Sequence, residues 1–351
     1  MMEGQLVFKR EDAPFDHLLV GVIGGIIKPI CDQLKDGDTL YLVGSAALGI
    51  SRYLVGSAAL GISRQNPQKM LLPHDKKLKV HDVDINIVCG NKGNCNYHFD
   101  YPNFGRVNVD IHAGTPEELF GVRREVLEEH SLTVSLQVYS TAMGIPEGEV
   151  EVKIPRDYLI IVPKLLAWKA RRDSKKLTHA EALMGFVTAF SNNEKEFIEG
   201  FSSFLSENWK TLQPFIQKRL NRQEVKLEIE KPDIIDIFKE SVFWTLKEEL
   251  KGVVDGAIQN KIDQKQIEAI KNILNFVSTY SNFEEEFKNY LAACADEDAS
   301  WLPEWKREFL EEYFREKGIT LPQNLPDIFM VMVESLEHKN TATNGFRVLK
   351  R

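Results

Sequence analysis

The chain has 351 residues, 52 acidic and 44 basic side chains, a formal net charge of −8 and 43% hydrophobic residues. At this length that apolar content fills two cores, and no apolar run reaches the ~20 residues that cross a bilayer, which excludes a membrane-embedded class and leaves no membrane partner expected. Residues 191–351 hold 29 acids and 22 bases while the remainder is nearly neutral, so bulk charge gives no support for broad nucleic-acid binding.

The first ten residues, "MMEGQLVFKR", lack the basic-then-apolar order of a secretory signal, and a cytoplasmic location is expected. Cys31, Cys89, Cys95 and Cys294 form no Cys-x-x-Cys pair, so reduced thiols are expected. Between residues 15 and 35, Leu19, Val22, Ile23, Ile26, Ile27, Ile30 and Leu34 make a helical stripe, with a kink or break predicted at Pro29. "TLYLV" then reads as a strand ended by Gly44, after which Ser45 can cap a short helix. The first N–H groups of such a helix attract an anion, and glycine lets a phosphate approach the backbone.

The tract at residues 41–52 is repeated without change at 53–64, so Gly56 and Ser57 duplicate Gly44 and Ser45. A strand slot filled by one copy excludes the other. Use of the first copy keeps the short link through "KDGDT" and adds the surplus to an already long loop, where insertion costs little, so the first copy is expected in the sheet.

"HDVDINIV" alternates, with Asp82, Asp84 and Asn86 on one face and Val83, Ile85 and Ile87 on the other. "RVNVDIHAG" does the same, setting Asn108, Asp110 and His112 opposite Val107, Val109 and Ile111. If the two strands pair, three carboxylates converge, and a divalent cation such as Mg²⁺ is the usual means of holding them together beside substrate phosphates. A hydrogen-bonded structural role is the expectation for His112.

"SLTVSLQVYS" and "EVEVKIP" complete a small mixed sheet, and Pro155 marks the change to helices. Helical periodicity runs through "IPRDYLIIVPKLLAWKA", "HAEALMGFVTAF" and four further tracts in residues 194–220, 233–258, 266–295 and 304–318. Trp209, Trp244, Trp301 and Trp305 read as core or interface anchors. The expected fold class is α+β, with a sheet domain over residues 1–155 and a helical domain over 156–351.

Gly44, Ser45 and Gly49 (or Gly56, Ser57 and Gly61), followed by Asp82, Asp84 and Asp110, resemble the pattern of the nucleotidyltransferase superfamily that includes DNA polymerase beta and the CCA-adding enzymes. The resemblance covers roughly residues 15–190 and rests on a handful of positions. The connection before Asp82 is longer than that family usually has. The resemblance implies transfer of a nucleoside monophosphate from an NTP to a hydroxyl acceptor on RNA, protein or a small molecule. It implies two Mg²⁺ (or Mn²⁺) ions on Asp82, Asp84 and Asp110, which also act catalytically, and triphosphate contacts from Gly44 and Ser45 or Gly56 and Ser57. Family members often carry a basic helix after the acids, a part open here to Lys164 or Lys169. The alternative is a catalytically inactive nucleotide-binding protein of the same fold, inactive by its nature or through the duplication.

Overall fold

Period-two alternation of apolar residues builds the central layer. The structure, a computed structural model, describes residues 6–8, 25–43, 82–90, 97, 108–139, 146–155, 158–170, 191, 193–222, 230–259, 264–294, 302–316, 318–324 and 326–335, with isolated positions between 176 and 187. Six strands form one mixed sheet: β1 (Leu6–Phe8), β2 (Thr39–Val43), β3 (Asp82–Val88), β4 (Asn108–Gly114), β5 (Ser131–Tyr139) and β6 (Pro146–Pro155). Their spatial order is β1-β5-β6-β2-β3-β4. β3 runs antiparallel to β2 and parallel to β4, β5 antiparallel to β6, and β1 and β5 run parallel, as do β2 and β6.

One face of this sheet is almost purely aliphatic. Leu40 and Leu42, Val83, Ile85 and Ile87, Val134, Leu136 and Val138, and Val150, Val152 and Ile154 form a core with Ile26, Ile27 and Ile30 from a helical segment at 25–31. That helix continues through Pro29 and ends at residue 31, so the expected interruption falls just beyond the proline rather than on it. Residues 15–24 of the predicted helix lie outside the described residues.

The opposite face joins a larger core. Tyr41 and Val88 lie in one apolar cluster with Phe120 and Leu127 and with the later helices, as far as Val333. Two short helices, α1 (Pro116–Phe120) and α2 (Arg124–Glu129), separate β4 from β5. Five larger ones follow as α3 (Tyr158–Ala170), α4 (Glu194–Arg222), α5 (Lys231–Ile258), α6 (Gln264–Val277) and α7 (Phe283–Ala293), then α8 (Glu304–Arg315), with residues 326–335 also helical. The architecture is therefore α+β, with a mixed sheet and a mostly helical remainder. In α3, Leu159–Val162, Leu165, Leu166 and Trp168 are buried around most of its circumference, so packing stabilises the helix despite the hydrogen bond lost at Pro163.

Several elements differ from the sequence reading. β1, α1 and α2 were not anticipated, and the continuous helix expected over 266–295 divides at residues 278–282 into α6 and α7. Tyr41, Leu42 and Val43 of the first copy stand in β2, while residues 44–52 of that copy and the whole second copy lie outside the described residues. Cys89 is disulfide-bonded, against the expectation of reduced thiols, whereas Cys31 and Cys294 are free. Of the tryptophans expected as core or interface anchors, Trp209 and Trp244 pack against the larger core and Trp305 is 55% exposed. Among the described residues no helix is long and apolar enough to cross a membrane.

At α1 a capping box fixes the start: the Thr115 hydroxyl accepts from the Glu118 N–H, and the Glu118 carboxylate accepts from the Thr115 N–H. Gly121 ends it in the left-handed conformation, φ 76°, and a Cβ there would lie 2.9 Å from the Phe215 side chain of α4. Gly121→Ala adds a strained φ to a clash with the Phe215 side chain and is expected to cost roughly 2–3 kcal/mol. Urea unfolding checks this, and a midpoint equal to wild type would refute it.

Candidate functional site

The polar face of β3 and β4 is assembled by register. Parallel pairing sets Asp82 opposite Asn108, Asp84 opposite Asp110 and Asn86 opposite His112. In-register neighbours are one strand spacing apart, about 4.8 Å, so Asp84 and Asp110 stand side by side on the face opposite the aliphatic core. Asp84 is half-buried and Asp110 exposed, while Asn86, further along β3, is buried. β2 flanks β3 on its other side, with Val43 opposite Asp84 and Tyr41 opposite Asn86.

The strands are fixed at the end remote from the acids. The Asp38 carboxylate, just before β2, accepts from the Gly90 N–H at 2.6 Å and from the Tyr97 hydroxyl. The Arg124 guanidinium of α2 donates to the Cys89 carbonyl at 2.8 Å. Burial pushes the Tyr41 phenol up to about 12, with the Glu128 carboxylate adding to the effect, so it is protonated at every physiological pH. Its ring meets Phe120 edge-on, centroids 5.2 Å apart. Tyr41 thus anchors the sheet to α1, a role that reading the repeat as a phosphate motif did not reveal.

A cation completes the cluster. Burial lowers the proton affinity of Lys164, on α3, and the Asp84 carboxylate partly restores it. Lys164 is therefore held in partly desolvated surroundings with Asp84 as the charge acting on it. Lys169 goes elsewhere, in an ion pair with Glu240 of α5. Trp168 packs edge-on against Trp244, centroids 6.1 Å apart, so the C-terminal end of α3 is fastened to α5 by both polar and aromatic contacts.

Of the residues proposed from sequence, Asp84, Asp110 and Lys164 are brought together and Lys169 is placed on Glu240. Asp82 holds the first position of β3, and its side chain lies outside the described residues, as do Gly44, Ser45, Gly56 and Ser57 entirely. Among the described residues, which do not include the Asp82 side chain, no group of three His, Cys, Asp or Glu side chains forms a metal-holding cluster. The donor set of paired carboxylates offers oxygen atoms alone, which suits a hard divalent cation such as Mg²⁺ or Mn²⁺. His112 is exposed beside this pair, on the strand position after Ile111.

The chain was compared with protein-family models, with characterised proteins and with solved structures, and it matches none of them.

Because Asp84 raises the proton affinity of Lys164, Asp84→Asn should lower the pKa of Lys164 further, burial being then opposed by less negative charge. Titration of the isotope-labelled lysine ammonium by NMR reads this directly. An unchanged or raised midpoint in the variant would show that the two groups do not interact.

Proposed function

We propose that the chain is a metal-dependent nucleotidyltransferase that moves a nucleoside monophosphate from an NTP to a hydroxyl acceptor and releases pyrophosphate. The observation that supports this reading is the parallel register setting Asp84 against Asp110, with Lys164 beside Asp84. Adjacent carboxylates are costly unless they serve a purpose, and a half-buried lysine at their edge is suited to a polyanion.

Bound divalent cations would lower the pKa of the acceptor hydroxyl and offset charge on the phosphates. Asp82, Asp84 and Asp110 would hold them. Asp110, the more exposed of the described pair, can receive the acceptor proton as the oxygen attacks the α-phosphorus in line with the departing pyrophosphate. Lys164 places positive charge where triphosphate oxygens would lie, and Ser45 or Ser57 would donate to the outgoing phosphates. Lys169, engaged by Glu240, acts on this scheme as a positioning residue that holds α3, and with it Lys164, in place.

A cytoplasmic location accords with such a substrate, although the disulfide at Cys89 is a feature more common in oxidising compartments.

The test supplies each α-phosphate-labelled NTP with Mg²⁺, total RNA and protein. Labelled RNA or protein identifies the acceptor class, Asp84→Asn reduces transfer to background, and deletion of residues 53–64 restores any activity that the duplication suppresses. NTP binding without transfer in both the full chain and the deletion variant would favour the inactive nucleotide-binding alternative. Transfer that persists in Asp84→Asn would remove the assigned site.

A further inference from the structure

The helical half contains a carboxylate with no evident reason to be there. Glu194 is the first residue of α4, has 0% exposure, and neither of its carboxyl oxygens has a hydrogen-bond partner among the described residues. The α4 start is already satisfied without it, since the Asn193 side chain accepts from the Glu196 N–H at 2.8 Å. A buried, unpaired carboxylate costs several kcal/mol, so the group holds its proton instead.

Two charges act on Glu194 from the helices packed around it, Lys239 of α5 and Glu286 of α7. Lys239 is already committed. Its ammonium donates to Glu286 at 3.0 Å and to the Tyr280 hydroxyl, and it lies 4.4 Å from the centre of the Tyr280 ring. Tyr280 in turn donates to Glu286, so a lysine, a phenol and a carboxylate close a ring across α5, the 278–282 turn and α7. With Glu194 protonated, the group is electrically balanced by one ammonium and one carboxylate. Loss of that proton leaves two carboxylates competing for a single half-buried lysine.

We propose that Glu194 is a proton-operated switch which, on ionising, draws Lys239 away from Glu286 and Tyr280 and so loosens α7 from α5. The proton moves between the Glu194 carboxyl and solvent, and no bond other than O–H is made or broken. Burial, with Glu286 adding to it and Lys239 opposing, raises the Glu194 carboxyl from 4.5 to about 7, which sets the switch near neutrality. The native state therefore binds more protons than the unfolded chain between those two values. The stability that this proton contributes is complete below about 4.5 and is lost as pH rises through about 7. This inference is independent of the proposed nucleotidyltransfer, because it uses none of that site's residues.

The test compares thermal midpoints of wild type and Glu194→Gln from about pH 5 to about pH 8. The wild-type midpoint should fall by roughly 5 °C relative to the variant across that range. Parallel curves overturn the proposal. Should the variant fail to fold, hydrogen exchange on the wild-type chain decides the matter. After correction for the intrinsic pH dependence of exchange, residues 283–293 should lose protection as pH rises through about 7 while residues 158–170 keep theirs, and equal protection of α7 on both sides of that pH refutes the switch.

Discussion

The register of β3 against β4 is the constraint from which the rest of the site follows. Along both strands apolar side chains alternate with polar ones, and the apolar set fills a core closed by Ile26, Ile27 and Ile30. A slip of one residue would drive Asp84 into that core and turn Val83, Ile85 and Ile87 to the polar side. Burial of a single unpaired carboxylate costs several kcal/mol, and three large aliphatic side chains would lose their burial at about 1.5–3 kcal/mol each. The alternative register is thus far out of reach. Juxtaposition of Asp84 and Asp110 follows from packing on the other side of the sheet.

That juxtaposition has an electrostatic cost, since adjacent carboxylates repel. The fold offsets part of it with Lys164, whose own ammonium is disfavoured by burial and favoured by Asp84. Neither group is in its preferred setting alone. The solvated pairs Lys28–Asp32 and Lys195–Glu199 carry no such mutual dependence, because water screens both partners.

Elements with a strong period and a buried face were legible in the sequence. β2, β3 and β6 carry the alternation through several residues, and α4, α5 and α8 carry an apolar stripe over three turns or more. β1 is three residues long and pairs with β5 more than 120 positions away, so no local pattern marks it. The signal for α1 was present as Thr115-Pro116-Glu117-Glu118, a capping box with proline at the first turn, and periodicity alone passes over a helix of five residues. The division between α6 and α7 falls at Ser278-Thr279-Tyr280-Ser281-Asn282, where apolar spacing continues into Phe283 and conceals the turn. At the site, the pairing of Asp84 with Asp110 could be read because strand alternation and chain order place them, whereas Lys164 and Lys169 stood as alternatives that only the packing of α3 separates. The partner of Lys169 lies 71 residues onward on α5, and the charges that act on Glu194 come from α5 and α7, neither of which leaves a trace near those residues.

Helix α3 connects these two levels of organisation. Lys164 and Lys169 are about 7.5 Å apart along its axis, and they answer to different parts of the molecule, Asp84 in the sheet and Glu240 in α5. Between them Leu165, Leu166 and Trp168 are buried in the core that also takes in Tyr41 and Val88 from the acid-bearing face of the sheet. Rotation of α3 about its axis would have to break the Trp168–Trp244 contact and the Lys169–Glu240 pair together. The position of Lys164 is therefore set as much by α5 as by the strand it faces. Helix α5, so connected, acts on the acid face through α3 and the Lys164 that α3 carries.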